Sequence, residues 1–537
     1  MKTGMLRVTA LLLAVTLLFS GCALDFAGYF DRLAGFFGPV SFDRMEYTRP
    51  DLSGLDEALE KCLDSAKKGD NLNALVGHIT TVNSICSNYR TNYFLAYIRY
   101  SIDMTDSYWE TEYNHCSQLE NKVQSSVDEL MYALAASPLR EELEDDAYFG
   151  AGYFDDYEGE SLWTEAFTAL MDQETELVNR YYELSAQSLM MDVNSEEYYT
   201  TVGNQLAQVY VELAKLRLQI AKEAGYKNYT EFAYDFVYNR DYTGDQTAAL
   251  LADIRTELVP EYDKLEGSLV WVDGLTSSQE QLTLRYVKTM AEAMGGMVGD
   301  AFEQMDEGNL YHIAYSENKY DASFEVFLPD YMVPFVFMKP TLTSQDHLTF
   351  AHEFGHFCRD YATYGGGASI DIDEFFSQGL EYLSLFYADG GKDLAQMKLA
   401  SSLCVYVEQA ALAEFEDRVY RLSTQELTVE NVQALYAAVS EDYGFADMVD
   451  ARSYVNIPHL FASPLYVISY VVSNDVALQL YQKELTESGS GWNCYRDNLG
   501  NPEEEFLAFV EDAGLNSPFR SGHIKEVRTL FKNELKL

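Results

Sequence analysis

The chain has 537 residues, of which 47% are hydrophobic and 14% aromatic, so it can bury a large core and build more than one lobe. Its formal net charge is −49, with 37 basic residues against 86 acidic ones. Such a surface repels nucleic acids and anionic lipids, so neither is expected as a partner. An acidic field can favour cationic substrates, although a net charge of this kind chiefly keeps a protein soluble.

The N-terminus has the layout of an export signal. Two basic residues precede an apolar run over 8–19, which is short for a membrane span, and a Ser-Gly-Cys sequence ending at Cys22 follows. Residues 18–22 resemble a bacterial lipobox, with Phe19 in place of the usual leucine. We therefore expect residues 1–21 to be removed and the exported chain to be lipid-anchored at Cys22, on the extracellular face of a bacterial membrane. An ordinary cleaved signal followed by a coincidental cysteine is the alternative.

The remaining cysteines are widely scattered along the chain: Cys62, Cys86, Cys116, Cys358, Cys404 and Cys494. An oxidising compartment would permit disulfides, and the sequence leaves their pairing open. A zinc ribbon needs closely spaced cysteine pairs, which are absent from this sequence. Most of these residues are therefore expected to be small buried hydrophobes.

Most of the chain beyond the signal is predicted to be helical. Apolar residues from Leu206 to Ile220 recur at steps of three and four, and Gly225 follows where a C-terminal cap belongs. With only 11 prolines, long uninterrupted helices are possible. Comparable patterns cover 51–140, 160–190, 245–266 and 278–304.

The pattern changes between about 309 and 340, where short runs rich in aromatic and β-branched residues occur. These runs predict a small β-sheet just before the helix that carries the histidine motif described below. They are Asn309–Tyr315, Ala322–Leu328 and Pro334–Met338.

Two further expectations concern how the chain is divided. Residues 143–159 are acidic and aromatic with three glycines, and they are predicted to form an exposed loop. A boundary near residue 240 would separate an N-terminal helical lobe, 22–240, from a catalytic lobe, 241–537.

The segment from His352 to His356 reads His-Glu-Phe-Gly-His. Residues four apart lie on one face of a helix, so both imidazoles can reach one tetrahedral metal ion. Glu353 lies beside the first histidine, where it can act on the attacking water instead of binding the metal. Thr343 or Ser344 can cap the predicted helix.

A catalytic zinc ion takes three protein ligands and keeps one position open for water. Glu374, which follows a Gly365-Gly366-Gly367 turn and lies near the start of the next predicted helix, is the expected third ligand. Asp371 and Asp373 are rivals, but their position at the helix start is typical of capping residues. Glu381, seven residues after Glu374 on the same helix face, could orient a ligand histidine.

These residues carry a family resemblance. The motif followed by Glu374-Phe-Phe-Ser resembles the thimet oligopeptidase and oligoendopeptidase F family, in which the third ligand begins a Glu-x-x-Ser sequence. Residues 216–242 resemble the Gly-Tyr-x-Asn-Tyr segment of oligoendopeptidase F-like proteins. Residues 457–470, which contain Ile-Pro-His and Ser-Pro-Leu-Tyr, resemble their C-terminal His/Tyr segment.

The resemblance implies a mostly α fold in which two helical lobes surround a deep channel that admits short peptides, with one Zn²⁺ per chain. It further implies that His459 donates to the substrate backbone or the developing oxyanion, and that Tyr466 or Tyr470 stabilises the tetrahedral intermediate. The sequence departs from the family where its Gly-Ala-Tyr-type substrate segment is replaced by Phe324–Leu328. The expected function is a zinc-dependent endopeptidase for short peptides.

Two alternatives stay open. One is a dipeptidyl carboxypeptidase of the angiotensin-converting type, which has a similar architecture and ligand spacing. The other is a lipid-anchored peptide-binding protein that retains an inactive peptidase fold. Against the second, both histidines, the base and a third ligand are present. The sequence does not indicate the oligomeric state.

Overall fold

The structure is a computed structural model that describes residues 40–537 except 146–147, 158, 160, 189–190, 266–278, 367–368 and 447. The predicted export signal, Cys22 and Gly367 of the glycine turn lie outside the described residues. Within the described ranges, no helix combines the length and hydropathy that crossing a membrane requires.

The first part of the chain is helical, as the apolar periodicity predicted. Short 3-10 turns occur at Phe42–Arg44 and Asp155–Tyr157, and a π-helical turn at Ala233–Val237. The α-helices of this part are α1 Leu55–Lys68, α2 Leu72–Ile102, α3 Ser107–Ser117, α4 Glu120–Ala135, α5 Arg140–Leu143, α6 Glu165–Gln187, α7 Glu196–Thr200, α8 Val202–Glu223, α9 Tyr229–Phe232, α10 Gly244–Glu257, α11 Val259–Tyr262, α12 Gln279–Met294 and α13 Gly296–Glu307.

Helix α8 shows why these segments fold as they do. Its apolar stripe from Leu206 to Ile220 is buried. Gly225 adopts a φ of 84°, and its N–H donates to the carbonyl of Lys222, while that of Tyr226 donates to Ala221. This is the glycine cap predicted from the sequence, since a left-handed residue lets the chain turn back on the last helical carbonyls.

A three-stranded sheet follows the first set of helices and confirms the predicted change of pattern. Its strands are β1 Tyr311–His312, β2 Ser323–Leu328 and β3 Val333–Met338, in the spatial order β1-β3-β2. Strand β3 pairs parallel with β1 and antiparallel with β2. Every residue of the central strand is buried, and β2 and β3 pack on the helix that follows.

The rest of the chain is again helical, with a π-helical turn at Val405–Gln409 and a 3-10 turn at Ser453–Asn456. Helix α15 packs against both α14 and α20, and these three helices form the centre of this part of the molecule. The helices are α14 Gln345–Thr363, α15 Ile370–Tyr387, α16 Gly391–Cys404, α17 Ala410–Tyr420, α18 Val429–Asp442, α19 Pro458–Ala462, α20 Ile468–Thr486, α21 Ser490–Asn498, α22 Phe506–Asp512 and α23 His523–Leu535.

Two local expectations need adjustment. Ser344 occupies the N-cap position of α14 but makes no side-chain capping bond, and the Thr343 hydroxyl accepts from the N–H of Gln345 instead. The segment predicted as an exposed loop, 143–159, is only partly exposed, because Phe154 is fully buried. The boundary predicted near residue 240 stays a prediction.

The six described cysteines are free thiols, and four of them are buried, in agreement with their expected role as small hydrophobes. Cys358 is fully buried, on the helix that carries the histidine motif. Burial raises the pKa of its thiol well above the ordinary value, so it stays protonated and is a poor metal ligand.

Helices α14 and α15 cross at the glycine of the histidine motif. A Cβ atom on Gly355 would lie 2.4 Å from the Cα atom of Ser377 and 2.7 Å from the carbonyl oxygen of Phe376. Backbone atoms cannot move aside as a flexible side chain can. Only glycine therefore allows the two helices to approach this closely.

Gly355→Ala is expected to lower the free energy of unfolding by about 1–3 kcal/mol, because the added methyl group has to push the two helices apart. Equilibrium urea denaturation would measure the change. Gly77→Ala is the matched control, since Gly77 lies inside α2 and a Cβ atom added there would have no neighbouring atom within 4 Å. There the substitution should stabilise by about 0.5–1 kcal/mol. Equal effects at both positions would contradict the crossing argument.

Candidate metal centre

Two helices bring together the three residues predicted to bind a metal. His352 and His356 lie one turn apart on α14, with ring centroids 5.0 Å apart, and Glu374 lies opposite them on α15. One ligand atom from each residue lies within 4.8 Å of the others, and His352 Nε2 is 3.5 Å from Glu374 Oε2. Two imidazoles and one carboxylate are the donor set of catalytic zinc sites, so these residues fit the ion.

The Glu374 carboxylate is held from two sides. The Ser377 hydroxyl lies 3.3 Å from Oε2, and the Tyr466 hydroxyl donates to Oε1 at 3.2 Å. Ser377 is the serine of the Glu-x-x-Ser sequence, one helical turn after the ligand. These two donors orient a carboxylate that is only 4% exposed.

Glu381 orients the first histidine, in the way its seven-residue spacing from Glu374 suggested. Its Oε1 is 2.9 Å from His352 Nδ1, and its Oε2 accepts from Lys398 Nζ at 2.9 Å. When Nδ1 carries the proton of this bond, Nε2 is left with its lone pair directed at the metal position. Burial lowers the pKa of His352, but Glu381 and Glu374 outweigh it and raise that pKa to about 9, so a metal ion has to displace the Nε2 proton when it binds.

Glu353 is buried beside the metal ligands, and His352 is the cationic group among the described residues that acts on it. Burial, partly opposed by His352, raises the pKa of Glu353 to about 7. A carboxyl group with this pKa can take up and release a proton near neutral pH, as a general base requires.

Asp371 and Asp373, the alternative candidates for the third metal ligand, have other partners. Asp371 lies in the first turn of α15 but does not cap it, because its side chain accepts from the Tyr242 hydroxyl and pairs with Arg240 at 3.5 Å. Asp373 interacts with Asp360 and Arg359, and burial raises its pKa well above the ordinary value. Neither carboxylate belongs to the group of atoms that could hold the metal.

A cluster of carboxyl groups next to the metal centre was not predicted. Glu325 of β2 shares a hydrogen bond with Asp360, which lies one turn beyond His356, and Asp373 is close to both. Burial raises the pKa of Asp360 to about 7. No sequence pattern links a strand residue to a helix residue 35 positions later, so the cluster becomes visible only in the fold.

The three residues of the predicted His/Tyr segment lie together beside Glu374. The His459 ring is 5.8 Å from that of Tyr466 and 6.1 Å from that of Tyr470, and the two tyrosine rings are 5.2 Å apart. Burial lowers the pKa of His459, so its imidazole is neutral at pH 7. The phenol of Tyr466 contacts a metal ligand directly, whereas Tyr470 contacts Tyr466.

Buried arginines hold this segment in place. Arg217 of α8 donates to the carbonyl oxygens of Leu460, at 3.1 Å, and of Phe461. Arg240 donates to the carbonyl of Leu465 at 2.9 Å and to the Ser469 hydroxyl at 2.7 Å. The two stretches that carried the family resemblance, 216–242 and 457–470, are thus bonded to each other.

The sequence contained a signal for one of these arginines. Arg217 lies four residues after Leu213, on the apolar stripe of α8, and its side chain is fully buried. A charged residue in such a stripe requires buried partners. An arginine within an apolar stripe therefore predicts buried hydrogen-bond or ion-pair partners, but the sequence does not identify which residues they are.

A cavity of about 1150 Å³ begins at Tyr238, whose ring centroid is 6.1 Å from that of Tyr466, and its lining does not include the three metal-ligand candidates. The last turn of α14, with Arg359, Ala362 and Thr363, forms one wall, and Tyr238 and Pro464 form the part nearest Tyr466. The opposite wall comes from α4, α6 and residues 149–153 of the partly buried loop. Its lining comes from helices of both the first and the last part of the chain.

Comparison with known proteins is consistent with this geometry. Residues 42–161 match the sequence profile of the Peptidase M3 N-terminal domain. No curated protein matches the sequence of this chain. This match lies in the N-terminal part of the chain, far in sequence from the histidine motif at residues 352–356.

Solved structures share the fold over nearly the full length of the chain. One assigned as an oligoendopeptidase F has 22% sequence identity and a TM-score of 0.80, with 93% of this chain and 99% of that chain covered. PZ peptidase A with an inhibitor has 21% identity and a TM-score of 0.79, covering 92% and 99%. A structure assigned as an oligoendopeptidase F from Bacillus anthracis str. Ames has 23% identity and a TM-score of 0.75, covering 93% and 98%. The matched N-terminal domain and the shared fold confirm the resemblance predicted from the sequence.

Proposed function

We propose that the chain is a zinc-dependent endopeptidase that hydrolyses internal bonds of short oligopeptides. The observation that carries the proposal is the convergence of His352, His356 and Glu374 within 4.8 Å, with the buried Glu353 beside them. The adjoining cavity supports peptides as substrates, because its volume of about 1150 Å³ can take several residues.

Zinc bound by these three ligands would supply Lewis-acid activation of water and of the scissile carbonyl group. Glu353 accepts the proton of the attacking water on its carboxylate and later delivers that proton to the leaving amine. Its pKa of about 7 suits both steps, since the carboxyl group must first lose and then regain the proton. Glu381 keeps His352 in the tautomer that leaves Nε2 available.

The developing negative charge on the carbonyl oxygen needs donors that are already in place. Tyr466, Tyr470 and His459 lie together on the Glu374 side of the site, where Tyr466 is buried and the other two are half-buried. Because the Tyr466 hydroxyl is bonded to Glu374, we assign Tyr466 to positioning the ligand and Tyr470 to the oxyanion. His459, neutral and half-buried, is available to donate to the substrate backbone.

The proposal includes export and lipid anchoring of the chain at Cys22, which the sequence of residues 8–22 supports. Mass spectrometry of the N-terminal tryptic peptide from the membrane fraction would detect a lipidated cysteine. An unmodified peptide that begins elsewhere would refute the anchor without affecting the proposed chemistry.

Glu353→Gln is expected to lower kcat by at least about 10³-fold, because it removes the proton acceptor and leaves the metal ligands intact. The assay uses an end-blocked, internally quenched peptide of eight to ten residues. A chelator should abolish wild-type cleavage and added zinc should restore it. Cleavage that needs a free C-terminus would favour the dipeptidyl carboxypeptidase alternative. Peptide binding without any cleavage by the zinc-loaded wild type would favour the inactive binding protein.

The double variant Glu381→Gln/Lys398→Met is expected to weaken zinc binding by about 10- to 100-fold, because an amide accepts the Nδ1 proton of His352 less strongly than a carboxylate and can instead donate to Nδ1, which favours the wrong tautomer. Replacing both residues avoids leaving the Lys398 ammonium buried without a partner. Competition with a chromogenic chelator would measure the zinc affinity. Glu487→Gln is the control, because Glu487 is exposed on the surface. Unchanged zinc affinity in the double variant would show that Glu381 does not orient the ligand.

Tyr470→Phe is expected to lower kcat by about 10²-fold without changing zinc affinity, because it removes an oxyanion donor. Tyr466→Phe should instead weaken zinc binding, since it removes a hydrogen bond to Glu374. Measuring kcat and the zinc dissociation constant for both variants separates the two roles. The assignment would be reversed if Tyr466→Phe lowered kcat alone.

A further inference from the structure

Helix α4 presents a row of polar side chains to the cavity described above. Glu120, Gln124, Asp128 and Tyr132 recur at steps of four, so they lie on one face of the helix, and all four line the cavity. The row lies in the first part of the chain, far in sequence from the metal ligands.

Several acceptor atoms of this row lack a hydrogen-bond partner. Glu120 is 7% exposed, and its Oε2 accepts from the Tyr89 hydroxyl at 2.6 Å. Within the described part of the chain, its buried Oε1 has no partner, and neither has Oε1 of Gln124. Asp128 is 8% exposed and accepts only from the Ser161 hydroxyl among the contacts described. A buried acceptor without a donor is costly, so this wall is suited to a ligand that brings donors.

The two arginine side chains that line the same cavity already have hydrogen-bond or ion-pair partners outside the α4 row. Arg240 is bonded to Leu465 and Ser469 and pairs with Asp371. Arg359 donates to the backbone carbonyls of residues 499 and 501. Neither arginine makes a described contact with the α4 row. The buried Arg90 of α2, which does not line the cavity, interacts electrostatically with Glu120 but gives its Oε1 no hydrogen bond.

Other residues of the cavity also favour a cation. Asp235, Glu504 and Glu505 add further carboxylates to the lining, whereas Glu174 is already paired with Arg217 at 2.7 Å. The aromatic rings of Trp163, Tyr157 and Tyr132 line it as well, and such rings attract cations through their faces. Burial raises the pKa of Asp128 to about 6, which a bound cation would counteract.

We propose that this cavity binds a cationic group of the peptide substrate, with Glu120 and Asp128 as its charged receptors and Gln124 as a neutral acceptor between them. The proposal rests on the peptidase function proposed above and adds to it a preference for positively charged peptides. The group is a lysine or arginine side chain or the free amino terminus, since each supplies several N–H donors with a positive charge.

The fold indicates where in the peptide this group lies. Ala362, on the cavity wall, follows His356 by six residues on α14, which corresponds to about 9 Å of helix rise. An extended peptide covers about 3.3 Å per residue, so the α14 wall of the cavity lies about three residues from the metal ligands. A cationic group that reaches the α4 row on the other wall therefore lies about three or more residues from the scissile bond.

The test compares end-blocked quenched peptides that differ at one position, which lies three, four or five residues before or after the cleaved bond. That position holds arginine, its uncharged isostere citrulline, or glutamate. Wild type is expected to cleave the arginine peptide with at least a tenfold higher kcat/KM than the citrulline peptide for at least one of these placements. The glutamate peptide should be the poorest substrate of the three. A citrulline peptide with a free amino terminus shows whether the terminal ammonium can replace the arginine.

Variants of the row connect this preference to the proposed residues. Glu120→Gln and Asp128→Asn should each reduce the arginine-to-citrulline ratio of kcat/KM by at least threefold. Glu129→Gln should leave the ratio unchanged, because Glu129 lies on the same helix but is exposed. Circular dichroism and thermal midpoints verify that each variant is folded. If one of the two variants fails to fold, the arginine-to-citrulline ratio of the other variant tests the proposal.

The proposal would be overturned if the arginine, citrulline and glutamate peptides had equal kcat/KM values with both blocked and free amino termini. It would also be overturned if the Glu120→Gln and Asp128→Asn variants both kept the wild-type preference for arginine. A binding measurement distinguishes this failure from failure of the peptidase function. The Glu353→Gln variant, assayed by fluorescence anisotropy, should bind the labelled arginine peptide at least tenfold more tightly than the citrulline peptide. If wild type cleaves none of the peptides, the proposed function fails, and equal binding would then refute the cationic site as well.

Discussion

The close crossing of α14 and α15 at Gly355 is the constraint on which the rest of the site depends. It brings Glu374 of one helix within reach of the two histidines of the other. The same approach places Glu381, two turns further along α15, against His352. A larger residue at the crossing would move Glu374 away from the two histidines and Glu381 away from His352, because both contacts lie between the same pair of helices. The glycine inside the histidine motif is thus a packing requirement of the metal centre.

Around this crossing, the protein buries an unusual amount of charge. Glu353, Glu374 and Glu381 are all more than nine-tenths buried, and Lys398 is bonded to the last of them. Buried carboxylates are costly unless they are paired or bound to a cation. Lys398 and the hydroxyl donors offset part of this cost, and a divalent cation at the three ligands would offset more. The electrostatics of the fold and the expected metal chemistry therefore agree.

The local features could be predicted from the sequence because they depend on residues that are close along the chain. The spacing of His352 and His356, the glycine cap after α8 and the three short strands all follow from helix and strand periodicity. Glu374 and Glu381 could be identified as candidate site residues because both belong to the helix that comes directly after the helix with the histidine motif.

The features that could not be predicted join distant parts of the chain. Arg217 bonds to Phe461, and Glu325 bonds to Asp360, yet no periodicity relates either pair. The cavity next to the metal centre is formed by α4, α6 and α14 together, so its position exists only after the fold has formed. Asp371, expected to act as a cap, pairs with Arg240 because tertiary packing brings a buried cation to it.

The bonds from Arg217 and Arg240 to residues 460–469 also restrict how the site can open. Each guanidinium is fully buried and bonded to main-chain carbonyls, so breaking these contacts would leave charges unsolvated in the interior. The segment with His459 and Tyr466 therefore cannot swing aside alone, as a surface lid does. Any motion that admits a substrate must carry this segment and α8 together as one rigid body, with the hinge located elsewhere in the chain.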